Sequence, residues 1–354
     1  MKKQILFGAI TLICVTLMSL ANAQAQDLPK VVILATGGTI AGAAATETTA
    51  GYESGQVGID ALLAAVPDLQ NLAQCTGEQV ANVGSQNMND EVWLTLAARI
   101  NELAKTDVDG IVITHGTDTM EETAYFLNLV AITDKPVVLT GSMRPSTAMS
   151  ADGPLNIFNA VAVAANPDAV GRGVMVVAND EIHAARDIIK SNTTEVSTFW
   201  SDDQGLIGNV RYGDTIFFRS AYSKHTSASE FSLDGVETMP RVDIITMHEN
   251  VDGVLIDAAV AAGARGIVTA GLGNGNMTDA ALESLAKAAE AGVVCVRSSR
   301  VPTGLVGRNI EIDDDGLGFI ASYELSPHKA RILLRLALLK TTDLETIQGY
   351  FATY

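Results

Sequence analysis

Two threonines in this chain follow short apolar runs inside glycine-bearing turns. Thr39 closes Thr36-Gly37-Gly38-Thr39, after Val31 to Ala35. Thr117 lies in Thr114-His115-Gly116-Thr117-Asp118, after Ile111 to Thr114. A threonine hydroxyl is a weak nucleophile until a base or a shifted proton equilibrium activates it. Asp118 adjoins Thr117, and Lys190 is the candidate base, a role open to a lysine whose surroundings hold it neutral. Each has a plainer reading, Asp118 as a helix N-cap and Lys190 as a solvated surface lysine. Gly84-Ser85-Gln86 and Gly271-Leu272-Gly273-Asn274-Gly275-Asn276 share the make-up of the threonine turns. Glycine lets the backbone approach a ligand, while hydroxyl, amide and carboxylate groups grip it. One such cluster reads as a tight strand-to-helix turn. Four at equivalent strand ends read as a site for a small polar ligand.

Other chemistries fail on spacing. Gly37-Gly38 with Gly42 does not fit G-x-G-x-x-G, and Gly271-x-Gly273 has Asn276 at the third glycine. Neither a P-loop nor a G-x-S-x-G elbow occurs. Histidines 115, 183, 225, 248 and 328 are not spaced as zinc ligands, so no zinc site is expected.

The elements that must position these groups alternate. Strands are expected at 31–35, 111–114, 136–140 and 173–178, with helices over 89–105, from 118 to 129, and over 156–165. The first of these helices has Asn89 or Asp90 as its cap. Continuous apolar strands alternating with helices predict a parallel sheet covered on both faces. From Arg219 to Pro240 the pattern dissolves into Ser, Thr, Gly and charged residues, which reads as a linker. Alternation returns with strands at 242–247, 266–271 and 293–298, helices at 253–262 and 278–291, and closing helices at 327–339 and 343–351. The expected organisation is a leader at 1–25, an N-terminal α/β catalytic domain at 26–218, a linker at 219–240 and a C-terminal α/β domain at 241–354.

The leader follows from Lys2 and Lys3, the apolar stretch Ile5 to Leu20, and the small-x-small pattern Ala21-Asn22-Ala23. This reads as a secretory signal cleaved near Ala23 or Ala25, giving a periplasmic protein with no membrane span after cleavage. The 354 residues carry 23 basic and 41 acidic side chains, net −18. Losing Lys2 and Lys3 moves this to −20. Such a surface repels a phosphate backbone, so nucleic-acid partners are excluded. Cys75 and Cys295 remain. The run Val293-Val294-Cys295-Val296 suggests a buried thiol, and nothing in the sequence argues for their pairing.

The runs Ile33-Leu34-Ala35-Thr36-Gly37-Gly38-Thr39-Ile40-Ala41-Gly42 and Ile113-Thr114-His115-Gly116-Thr117-Asp118-Thr119-Met120-Glu121-Glu122 resemble the two signature motifs of bacterial L-asparaginases. The resemblance is greatest to the exported type II enzymes, including the glutaminase-asparaginases. It extends through Gly141 to Pro145, Ala151 to Pro154, Arg186 to Lys190 and Arg297 to Gly304.

The resemblance implies a larger N-terminal parallel-sheet (flavodoxin-like) domain, a smaller C-terminal α/β domain, and hydrolysis of L-asparagine to L-aspartate and ammonia without metal or cofactor. It makes Thr39 the primary nucleophile, with Tyr52 from a closing loop helping to activate it. Thr117, Asp118 and Lys190 form the second cluster. Ser85, Gln86, Thr117 and Asp118 bind the substrate head, and Asn276 and Glu311 come from a neighbouring subunit of a homotetramer. Asn276 leans towards asparagine, leaving room for minor L-glutaminase activity. A disulfide of the best-known relative has no counterpart, since 101–105 and 130–133 carry no cysteine. A Thr39 acyl-enzyme and direct attack by water both remain open. The rival from another class is a periplasmic solute-binding protein, which is also acidic, exported and α/β.

Overall fold

The structure is a computed structural model that describes residues 28–44, 52–53, 58–201 and 203–354. The expected signal peptide and the side chain of Tyr52 lie outside the described residues.

The strands in chain order are β1 (Lys30–Gly37), β2 (Ala43–Ala44), β3 (Tyr52–Glu53), β4 (Gln74–Val83), β5 (Gly110–Thr114), β6 (Val137–Thr140), β7 (Val174–Ala178), β8 (Glu181–Ala184), β9 (Ile189–Lys190), β10 (Phe199–Trp200), β11 (Gly208–Arg211), β12 (Asp214–Phe217), β13 (Val242–Thr246), β14 (Gly266–Gly271), β15 (Val294–Ser299) and β16 (Phe319–Ala321). Eight of them make one sheet in the order β12-β11-β8-β7-β6-β5-β1-β4, and four make a second, β13-β14-β15-β16. Pairing is parallel from β4 through β7 and throughout the second sheet.

The larger sheet has two buried faces because its strands alternate. Val32 and Leu34 pack towards the helices Asp90–Leu103 and Met120–Val130. Val31, Ile33 and Ala35 pack towards the helix Gly153–Ala164. That doubly covered sheet explains the continuous apolar runs. Asn89, one of the two expected caps, accepts the N–H of Val92. The first core continues into the second sheet, taking in Val268, Val296 and the helix Pro327–Ala337, so one apolar layer serves both sheets. The other face of the second sheet is closed by the helices Val254–Ala261 and Asp279–Glu290.

Three features were not expected. β4, where no strand was expected, is a ten-residue edge strand whose residues are all exposed or half-buried. An edge strand needs apolar residues on one face only, which weakens its signature. β8, β11 and β12 extend the sheet antiparallel through four-residue segments, too short for period counting. Residues 219–240 hold only a short 3₁₀ turn, Thr226–Ala228, yet Phe231 is buried with ring centroids 5.1 Å from Tyr350 and 5.0 Å from Tyr354. Cys75 on β4 and Cys295 on β15 are free. Burial pushes the Cys295 thiol up to about 12, which suits the inert packing role read from its sequence.

Candidate active site

The strands from β4 to β7 run β4-β1-β5-β6-β7, the 2-1-3-4-5 order whose switch point lies between its first and third strands. Here those strands are β1 and β5, and Thr39 and Thr117 follow their carboxyl ends. Connections leave β1 and β5 in opposite directions, opening a crevice that neither turn fills.

Glycines bring the turns together. Gly37 and Gly38 have φ of +107° and +82°, the left-handed region that other residues avoid. A Cβ on Gly38 would lie 2.4 Å from Gly116 Cα, and one on Gly116 would lie 2.5 Å from Ser85 Oγ. The turns after β1 and β5 thus touch backbone to backbone, and the Ser85 side chain of the turn after β4 rests on Gly116, an approach that only glycine permits. Thr39, Ser85 and Thr117 are all buried there.

The charged part of the site comes from a distance in sequence. Lys190 Nζ donates to Thr117 Oγ1 at 2.9 Å and to Asp118 Oδ1 at 2.5 Å. The lysine side chain is only 16% exposed, so the plainer reading of a solvated surface lysine fails. Asp118 is more open, at 59%, and it is not the helix cap; Thr119 holds that position. Its own N–H donates to Ser85 Oγ at 3.2 Å, and Thr119 Oγ1 donates to the Ser85 carbonyl at 2.9 Å. Gln86 is exposed, with its amide folded beside Gly84. Tyr52 enters through its backbone alone, as β3 pairs with β2 and places Tyr52 opposite Ala44.

Asn276 and Glu311 pair with one another. Asn276 closes the turn after β14 by a backbone bridge to Leu272. Its Nδ2 donates to Glu311 Oε2, and none of the hydrogen bonds described for Thr117, Asp118 or Lys190 involves either residue. Their two loops are pinned by Arg297, fully buried on β15. It pairs bidentately with Asp314 at 2.5 and 2.7 Å and donates to the carbonyls of Asn274, Gly275 and Gly307.

His115, considered in the sequence only for metal spacing, lies fully buried beneath Thr117. Its Nδ1 is 2.7 Å from the Gly116 carbonyl and its Nε2 is 2.9 Å from Thr123 Oγ1, which also accepts from Trp93 Nε1 at 2.8 Å. One tautomer satisfies the chain: Nδ1–H donates to Gly116, and Nε2 accepts from Thr123. Burial pushes His115 from 6.5 down to about 4. Its folded value lies below its unfolded one, so its contribution to stability is complete above about pH 6.5 and is lost as pH falls towards 4, amounting to ~3 kcal/mol. His115→Gln should therefore flatten the fall in the urea midpoint between pH 7 and pH 4. An undiminished fall in the variant would assign that acid sensitivity elsewhere.

Against this geometry the comparisons can be read. Residues 30–223 match the family described as "Asparaginase, N-terminal", and 241–351 match "Glutaminase/Asparaginase C-terminal domain". The chain belongs to the asparaginase family. Among its relatives, a "Probable L-asparaginase periplasmic" of Haemophilus influenzae is 51% identical, covering 95% of this chain and 96% of its own length. An "L-asparaginase 2" of Escherichia coli is 50% identical over 93% and 94%. A "Glutaminase-asparaginase" of Acinetobacter glutaminasificans is 48% identical over 92% and 99%. The solved structure of a "Probable Cytoplasmic L-asparaginase" from Campylobacter jejuni superposes with a TM-score of 0.90 at 45% identity, covering 92% of this chain and all of that one. The asparaginase fold expected from the motifs is therefore the fold observed.

Proposed function

We propose that the chain hydrolyses L-asparagine to L-aspartate and ammonia, with L-glutamine as a minor substrate. The observation that carries this is Lys190 Nζ held on both Thr117 and Asp118, in a turn whose Gly116 touches the turn of Thr39. Thr39 Oγ attacks the amide carbon, its proton passing to Thr117 Oγ1 as Thr117 gives its own to Lys190 Nζ in the neutral amine form. The developing oxyanion is met by backbone N–H groups of the glycine turns. The C–N bond breaks as that proton is returned from Lys190 through Thr117 to the leaving nitrogen, and water then hydrolyses the aspartyl ester on Thr39, restoring its hydroxyl. Asp118 accepts from the substrate ammonium, and Ser85 and Gln86 hold its carboxylate. Tyr52 helps to activate Thr39. Asn276 and Glu311, paired with one another, suit a site on a neighbouring subunit of a homotetramer. The leader sequence and the name of the Haemophilus relative support a periplasmic location.

The test is ammonia release from both amides, with rapid quench and mass analysis of the protein. A higher kcat/KM on asparagine and an aspartyl adduct on Thr39 are expected. Tight binding without ammonia would favour a solute-binding protein. An adduct on Thr117 overturns the assignment of the nucleophile, and turnover with no adduct points to direct attack by water.

A further inference from the structure

The segment that delivers Lys190 is held from two sides by groups that take no part in the reaction as written. Lys329 lies in the first turn of the helix Pro327–Ala337, almost wholly buried. Its Nζ donates to the main-chain oxygens of Arg186 at 2.7 Å and Ile188 at 2.5 Å. From the other side Glu121, on the helix Met120–Val130, accepts the main-chain N–H of Lys190 at 2.7 Å.

A buried ammonium is unfavourable unless its protons are used. Burial pushes Lys329 down to about 8, against the pull of the Glu121 and Asp187 carboxylates. A core that needed only filling would be served by an apolar side chain. Two carbonyls of an irregular segment, by contrast, need a donor. That segment ends in β9, only two residues long and paired to β10 alone, so the small sheet offers little support of its own. A lysine carries its ammonium on a flexible four-carbon stem. Its reach to Thr117 is fixed only when the backbone at its root is fixed.

We propose that Lys329 and Glu121 are positioning residues: they clamp the backbone of 186–190 so that Lys190 Nζ lands on Thr117 and Asp118. The proposal rests on the role given to Lys190 above. It ties the geometry of the N-terminal site to a helix of the C-terminal region. Displacing a reacting group by about 1 Å costs on the order of 100-fold in rate.

The test uses the full chain with L-asparagine, comparing wild type with Lys329→Met, Glu121→Ala and Glu121→Gln by steady-state kinetics, active-site titre and thermal midpoint. Lys329→Met and Glu121→Ala are expected to lower kcat per folded site by about 10- to 100-fold, with KM within about threefold. Glu121→Gln keeps an acceptor oxygen and should regain most of that loss. If Lys329→Met does not fold, the Glu121 pair decides. Lowered midpoints with kcat per folded site unchanged would make both groups merely structural and overturn the proposal, as would Glu121→Gln being as slow as Glu121→Ala. A wild type that releases no ammonia overturns the reaction itself, which is distinguishable from an active wild type with unimpaired variants.

Discussion

Lys190→Met and Thr117→Val are each expected to lower kcat on L-asparagine by about 10²- to 10⁴-fold, the range for losing a positioned proton-transfer group. The double variant should be little worse than the slower single one. Groups that move one proton act as a unit, so removing either disables both. The reason lies in the 2.9 Å contact between Lys190 Nζ and Thr117 Oγ1, with Asp118 on the same nitrogen. KM should change less than kcat in Lys190→Met, since in the proposed reaction Ser85, Gln86 and Asp118, rather than the lysine, hold the substrate head. Losses that multiply in the double variant would show that the two side chains act in separate steps, and the relay would have to be redrawn.

Asp314→Ala should produce the largest loss of stability of any single change considered, about 3–5 kcal/mol, because it leaves the Arg297 guanidinium charged, fully buried and unpaired. The pair is bidentate and wholly shielded from water. Arg297 also satisfies three carbonyls of the 274–275 and 307 loops, so the damage should spread to the segments carrying Asn276 and Glu311. A drop of several degrees or more in thermal midpoint is the expected reading. A variant as stable as wild type would mean that water reaches the arginine, contrary to its complete burial.

How much of this was legible in the residues depends on range. The helix Asp90–Leu103 announced its cap and its apolar face, because both are set within four residues. The central strands announced themselves as runs of β-branched residues. β4 did not, since an edge strand shares its polarity with loops. The turns of Thr39 and Thr117 were readable as turns, while their contact through Gly38 and Gly116 depends on which strands are neighbours, and that is a property of the whole sheet. Lys190 lies 73 residues from Thr117 on a two-residue strand, so the sequence could name it as a candidate base while its contact with Thr117 belongs to the fold. His115 and Lys329 escaped notice for a related reason. A lone titratable residue shows nothing of its burial until the fold closes over it.

The apolar layer that serves both sheets also bears on how they can move. A clamshell receptor opens by rotating one lobe about a hinge, which requires the lobes to part without exposing much oil. Here such a rotation would drag Val268, Val296 and the helix Pro327–Ala337 off the layer that also covers Val32 and Leu34. At roughly 25 cal/mol per Å² of apolar surface wetted, each buried residue so uncovered opposes that opening. The shared layer therefore ties the two sheets together as one packed body. That continuity sets this architecture apart from the hinged, two-lobed binding protein that its composition imitates.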